Sequence, residues 1–410
     1  MQNSTGRTYF LIFLIVFTAF SSARAQEEKE NYVKFGGALR FNIFSKSWVS
    51  NQTQPEATID TWRLNVKART AGVDLNFEYR FYPTFGTHFL KQGWLGYGFS
   101  DDVYMQLGVT QVPFGITTYA SHSWWFQAPY YVGLEDDYDM GVKFDISGIE
   151  NLDLTVGYFR QSEPEGPVYG GDVTFGNSGA GRYSYDFVPS EGSSNRELDQ
   201  FNLRAAYHLT DGLEIGVSGQ TGGIYNSVLN KRKMSTAFAA HVVANAGGFN
   251  FKGEYINYNY NAFADDGSEL ETITMGAYGF PYQVATKASM YVAGLAYSIP
   301  VEFGPISNIQ AYVDYTFVDK ANENFTDAHH LIPGFLVTAG NIYTYVDFAL
   351  GKNQPWLTSN FGTGFGEGQT YSDDPASKYY SSDPAIQGTP VPMDKLDWEL
   401  RFNINIGYYF

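Results

Sequence analysis

The stretch that decides the fold is the last one, Leu396-Asp397-Trp398-Glu399-Leu400-Arg401-Phe402-Asn403-Ile404-Asn405-Ile406-Gly407-Tyr408-Tyr409-Phe410. Its even-numbered residues are all large and apolar or aromatic, while the odd-numbered ones run Asp, Glu, Arg, Asn, Asn, Gly, Tyr. Successive side chains on a strand point to opposite faces, so this is a strand with one greasy side and one wet side. At the edge of a soluble sheet such a strand would template aggregation. In a closed membrane barrel both faces have a use: lipid takes the even set, a water-filled lumen takes the odd set, and no edge is left unpaired.

The same alternation recurs along the chain. Val33, Phe35, Leu39, Phe41 and Ile43 oppose Lys34, Arg40 and Asn42, and Trp62, Leu64, Val66 and Ala68 oppose Arg63, Asn65, Lys67 and Arg69. Val73, Leu75, Phe77, Tyr79 and Phe81 oppose Asp74, Asn76, Glu78 and Arg80. Similar segments follow near 88–99, 102–112, 140–147, 151–160, 199–209, 212–221, 236–246, 249–258, 287–299, 308–318, 328–338 and 342–351. With the terminal strand they number about sixteen, an even count as in single-chain bacterial barrels. Their connections sort into two kinds. Short turns at Ala71-Gly72, Asp101-Asp102, Asp211-Gly212, Gly247-Gly248 and Gly340-Asn341 carry the residues that tight hairpins need for positive φ. Long polar stretches near 45–57, 113–139, 161–198, 222–235, 259–286, 319–328 and 352–395 alternate with them. The expected fold is therefore an all-β transmembrane antiparallel barrel with short periplasmic turns and long extracellular loops. The Gly-, Ser-, Tyr- and Asp-rich segments Tyr169 to Ser194 and Gly362 to Asp383 read as surface loops.

The chain opens with Arg7, an apolar run from Tyr9 to Phe20, and Ala23-Arg24-Ala25, the layout of a secretory signal peptide over residues 1–25. That leaves 26–410 as one barrel domain. The apolar run falls short of the ~20 residues a spanning helix needs. A net charge of -17 argues against a nucleic-acid partner on electrostatic grounds. Zero cysteines exclude a disulfide scaffold and a thiolate metal site. Aromatics make up 18% of the chain, which fits both strand propensity and aromatic girdles at two membrane interfaces.

Two features carry a family resemblance. The terminal Phe410, preceded by Phe402, Ile404, Ile406 and Tyr408 at alternate positions, resembles the signal by which the barrel-assembly machinery recognises bacterial outer-membrane barrels. Where the fifth strand enters the third loop, Gly108-Val109-Thr110-Gln111-Val112-Pro113-Phe114-Gly115 resembles the Gly-x-x-Lys-x-Pro-Phe-Gly stretch of the phosphate-selective porins O and P. The resemblance implies a homotrimeric outer-membrane porin of Gram-negative type, in contact with outer-membrane lipid and lipopolysaccharide, whose third loop (about 113–139) folds into the pore. Gln111 stands where that motif has Lys, and the stretch from Ile116 to Tyr138 has no Lys or Arg. Anion selection needs cationic donors at the narrowest point, so phosphate selectivity is not expected.

The expected function is passive diffusion of small hydrophilic solutes or ions. The alternatives are a saccharide- or phosphate-specific channel, and an adhesive barrel with a closed lumen. Lys34, Arg40, Arg63, Lys67, Arg69 and Arg80 face inward on the first three strands; Asp74 falls beside Lys67 or Arg69, and Arg40, Arg63 and Arg80 read as the least neutralised, although one of the two registers gives Glu78 to Arg63. The third loop supplies Trp124, Trp125, Tyr130 and Tyr131, then Glu135, Asp136, Asp137 and Asp139, expected to face the basic wall across the constriction. The Trp pair either forms an apolar track for sugar rings or anchors the loop to the wall. Asp314, Asp347, Asp397 and Glu399 read as further inward charges on the last strands. Nothing points to catalysis or a cofactor, and the acidic loops read either as solvated surface or as divalent-cation sites bridging lipopolysaccharide phosphates. Ser121-His122-Ser123 lacks a third group to orient it, and His329 and His330 point to opposite faces of one strand.

Overall fold

Period-two alternation becomes a ring of hydrogen-bonded neighbours. The computed structural model describes residues 30–50, 53–117, 119–169 and 179–410; the expected signal peptide lies outside the described residues. The strands are β1 (Tyr32–Lys46), β2 (Glu56–Thr70), β3 (Val73–Tyr82), β4 (Thr87–Gly98), β5 (Val103–Gln111), β6 (Tyr138–Ile149), β7 (Leu152–Ser162), β8 (Asp186–Phe187), β9 (Asn195–Thr210) and β10 (Leu213–Asn226). They continue with β11 (Lys231–Ala246), β12 (Phe249–Asn259), β13 (Thr272–Ala277), β14 (Phe280–Ala285), β15 (Lys287–Phe303), β16 (Ile306–Lys320), β17 (Ala328–Ala339), β18 (Ile342–Lys352) and β19 (Glu399–Tyr409). All except β8, β13 and β14 form one closed antiparallel barrel of sixteen strands, each matching one expected segment. The three others make a small sheet in the loops.

Closure falls on the terminal stretch. β19 pairs with β1 through Arg40↔Gly407 and Asn42↔Asn405, and the Gly37 N–H donates to the Phe410 carbonyl at 2.9 Å. The faces divide as alternation requires: Asn403 and Asn405 are buried inside, while Ile406, Tyr408 and Phe410 are exposed outside. Outward aromatics gather in two belts. Trp62, Phe81 and His88 stack towards the loop end, as do Tyr291, Phe317 and His329. Tyr97 with Phe99, Phe249 with Tyr297, and Tyr408 with Phe410 lie at the turn end. Between the belts run aliphatic residues such as Leu64, Leu95, Leu203, Val217 and Leu295, all exposed. This is a lipid-facing band flanked by interfacial aromatics.

Three expectations are corrected. The last strand starts at Glu399, because Pro392 leads into a 3₁₀ turn, Met393–Lys395, that carries the chain over the rim. Leu396 is buried beneath the loops, and Asp397 is exposed and pairs with Lys378 at 3.1 Å, so it is not an inward charge. The stretch 222–235 is not a loop: β10 and β11 continue through it to a turn at 227–230. Gly222 and Gly223 interrupt the hydrophobic pattern there because the Gln200 side chain lies against the first of them.

The third correction concerns the core. Tyr183 and Tyr185, and Phe365 among the glycines, are each 1% exposed, so the chain around these residues dives into the barrel, while 371–383 lies on the surface as expected. With Tyr82, Phe89, Tyr130, Tyr131, Tyr278 and Tyr282 they fill its loop-end half. Their polar tips are satisfied: Tyr282 donates to the Tyr131 carbonyl at 2.5 Å, Tyr260 to Val132 at 2.6 Å, and Trp356 Nε1 to the Tyr185 hydroxyl at 2.6 Å. Buried Tyr and Trp need such partners, and that is how an aromatic plug replaces a hydrophobic core.

Phe410 makes the last ladder pair, with its ring outside. Replacing it with Asp puts a charge at the lipid boundary beside the β1–β19 seam. The expected result is a several-fold drop in inserted barrel, read by heat-modifiable migration. Normal yield of the variant would refute the role given to the terminal residue.

Candidate functional site: the third loop and the basic wall

The third loop, 112–137, leaves β5 and crosses the barrel. Gly108 has φ +136° and no room for a Cβ, which would meet the Gly93 carbonyl at 2.3 Å. Gly115 has φ +59°, and its Cβ would lie 2.0 Å from Glu254 Oε1 on β12. Phe114 is buried beside Pro113, and Gln111 Nε2 donates to the Thr117 carbonyl at 2.7 Å and to Asp136 at 3.1 Å, tying the neck of the loop. These residues turn the chain inward.

Once inside, the backbone is stapled to the far wall. Gly115 N–H donates to Ser218 Oγ on β10 at 3.0 Å, Ile116 N–H to Glu254 at 3.1 Å, and Arg204 Nε to the Gly115 carbonyl at 2.7 Å. Lys252 donates to the carbonyls of Tyr119 and Ser121 at 2.6 and 3.0 Å. The tip is held by Asp314 on β16, which accepts from His122 N–H at 2.7 Å, Ser123 N–H at 2.8 Å and His122 Nδ1 at 2.8 Å. In the ring of sixteen, β16 lies diametrically opposite β5. His122 Nε2 faces Asn250 Oδ1 at 2.6 Å, not a serine hydroxyl.

The tryptophans part company. Trp125 is 5% exposed, under the Arg401 guanidinium at 4.7 Å, and anchors the loop. Trp124 is half-buried, edge-on to Trp125, with Arg40 5.9 Å above its ring. Tyr130 and Tyr131 lie in the aromatic plug.

The four acids do not line up against the wall. Glu135 turns back to the Ala120 N–H at 2.9 Å, and burial together with Glu254 pushes its carboxyl well above the usual range. Asp136 alone meets the wall, 3.4 Å from Lys91 on β4. Asp137 and Asp139 are buried beside Asp186.

The wall itself is ion-paired. Arg69 grips Asp74 with two bonds of 2.6 and 2.7 Å, and Lys34 and Lys67 are exposed near the turn end. Arg40 pairs with Asp60 at 2.7 Å, and Glu78 takes both Arg63 at 3.2 Å and Arg80 at 2.5 Å. The expectation that Arg40 and Arg80 are left unneutralised is thus overturned, whereas Arg63 meets Glu78 as the alternative register allowed. Sequence alternation missed Asp60 and Lys91 because each sits at a β-bulge. The β1–β2 register steps from Arg40↔Thr61 to Phe41↔Ile59, and the β3–β4 register from Glu78↔Gln92 to Tyr79↔Leu90. Each skipped residue turns inward against the period. Water reaches the seam between loop and wall: the Arg40 and Arg63 side chains are 14% and 13% exposed, and Tyr119, packed on Phe126, is 41% exposed.

No family model and no curated protein matches the sequence. Solved structures do. An anion-selective porin from Comamonas acidovorans aligns over 93% of this chain and 100% of its own, at TM-score 0.56 and 12% identity. OmpT, an outer membrane protein of Vibrio cholerae in trimer form, gives 0.54 at 13% over 93% and 100%. The outer membrane channel DcaP of Acinetobacter baumannii gives 0.53 at 10% over 95% and 100%. The fold is that of the outer-membrane porins. At these identities the likeness is one of fold, and the porin-fold site described above belongs to this chain's own residues.

Proposed function

We propose that this protein is an outer-membrane porin that passes small hydrophilic solutes or ions passively, as a trimer in the outer membrane of a Gram-negative bacterium. The observation that carries this reading is the water-exposed seam between Tyr119 and the Arg40–Arg63 wall inside a barrel with an apolar exterior. A loop stapled to the opposite wall narrows the lumen, and the aromatic plug narrows it further, so the channel passes small solutes at low conductance. The Pro113-Phe114-Gly115 entry resembles the phosphate-selective porins, but the cations of the facing wall, Arg40, Arg63, Arg80 and Lys91, already pair with Asp60, Glu78 and Asp136. Phosphate would have to displace those carboxylates, so phosphate selectivity is not part of the proposal. Nor is catalysis: His122 is bonded on both ring nitrogens, to Asp314 and Asn250. The test is conductance of purified protein in a planar bilayer. Small ohmic steps support the porin; a folded barrel giving no current at any voltage makes it a closed structural barrel instead.

A further inference from the structure

Four carboxylates crowd where the third loop rejoins the barrel. Asp137 ends the loop, Asp139 lies at the start of β6, Glu163 follows β7 and Asp186 lies on β8; they are 6, 1, 2 and 1% exposed. One oxygen from each of Asp137, Asp139 and Asp186 lies within 4.8 Å of the others. Glu163, from outside that triad, presses its carboxyl against that of Asp186. Each residue has an oxygen without a hydrogen-bond partner among the described residues: Asp137 Oδ1, Asp139 Oδ1, Asp186 Oδ1 and Glu163 Oε2.

The available donors are spent on the other oxygens. Arg182 takes Asp186 Oδ2 at 2.8 Å, Ser184 N–H takes Glu163 Oε1 at 2.8 Å, and Gln200 Nε2 reaches Asp139 Oδ2 at 3.4 Å. These four buried carboxylates, with Glu197 close by, face one guanidinium, a charge imbalance that is unfavourable unless something neutralises it. Oxygens on opposite sides of a calcium ion, each at ~2.3–2.6 Å, are ~4.6–5.2 Å apart, which accommodates the spread of the three aspartates.

We propose that Asp137, Asp139, Asp186 and Glu163 bind one divalent cation, Ca²⁺ in preference to Mg²⁺. All donors are hard oxygens, and they come from three chain segments with no fixed octahedron, which favours the larger and more permissive ion. Asp186 on β8 pairs with Gly276 on β13, so the ion ties the stem of the third loop to the sheet that roofs the lumen. Binding is independent of the porin reading; a consequence for conductance rests on it.

The experiment uses the folded full barrel, stripped with chelator and titrated with CaCl₂ by calorimetry, with elemental analysis of the bound metal. The expected result is one Ca²⁺ per chain, saturating below ~1 mM, the weak end of calcium modules. Asp137→Asn and Asp139→Asn should weaken it at least tenfold with barrel migration unchanged. Should those variants fail to fold, terbium on the wild type decides, since Tyr138 and Tyr183 lie close enough to sensitise it: calcium-displaceable emission supports the site, and none overturns it. Wild-type barrel that takes up no Ca²⁺, or prefers Mg²⁺, also overturns it. In the bilayer, chelation should raise mean conductance or flicker; bound calcium with conductance indifferent to chelator removes the clamp. Calcium binding by a barrel that never conducts would sink the porin reading and leave the site standing.

Discussion

Deleting Ser121 to Tyr131 raises single-channel conductance several-fold. Resistance is set at the narrowest cross-section, and this segment crosses from β5 to the opposite strand β16. The barrel survives the deletion because none of these residues joins its hydrogen-bonded ladder. It survives less stably: Trp125, Tyr130 and Tyr131 are buried, and each contributes on the order of 1.5–3 kcal/mol on burial. A lower temperature for heat-modified migration should therefore accompany the larger current. A finer cut separates the loop's position from its bulk. Asp314→Ala removes one fully buried acceptor of three donors and leaves two backbone N–H groups unpaired, a loss of about 2–4 kcal/mol at the tip alone. That variant should flicker between wild-type and higher conductance, with the barrel's thermal stability lowered less than by the deletion. If both variants conduct like wild type, the loop is not in the path of the current.

What alternation can read, it read here: every barrel strand has its counterpart among the segments with period two, because lipid and lumen impose opposite chemistry on adjacent residues. It failed where the backbone leaves that period. Asp60 and Lys91 sit at bulges, so a parity count from Trp62 or Gln92 sends each to the wrong face. Gly222 and Gly223 carry no side chain to alternate, and a continuing strand passes for a loop. Tyr183, Tyr185 and Phe365 belong to irregular segments whose polarity comes from their Gly, Ser and Asp neighbours, so their burial has no periodic signature. Asp314 was legible as an inward charge, but its service to the loop tip was not. The pairing joins residues nearly two hundred positions apart, and no local pattern records it. The third loop's acids show the same limit: Glu135 to Asp139 look like one charge run, yet the chain's path sends them to three different environments.

Replacing Arg40 and Arg63 by Ser should turn a weakly selective channel towards cations. In the wild type the seam holds four cations, Arg40, Arg63, Arg80 and Lys91, against three carboxylates, Asp60, Glu78 and Asp136. Paired charges of nearly equal number give a transverse field and little net preference. Arg80 is left in place because it is buried beneath the Tyr183 ring at 4.5 Å, and its removal would unseat the plug. Taking away Arg40 and Arg63 reverses the balance, with two cations facing three carboxylates, and Asp60 loses its sole ion-pair partner among the described residues. Two unit charges at ~7 Å in water amount to ~1 kcal/mol, which a Debye length of ~8 Å cuts to about 0.5 kcal/mol. That is about twofold in favour of a cation and twofold against an anion, so the permeability ratio should move about four- to fivefold. The shift should grow as salt is lowered, because screening weakens. The opposite change, Asp60→Asn, should move the ratio towards anions. Both are read from the reversal potential under a salt gradient. Strong anion selectivity in the wild type, or block of chloride current by low phosphate, would show that the cations are not held by their carboxylates and would restore the phosphate-specific reading.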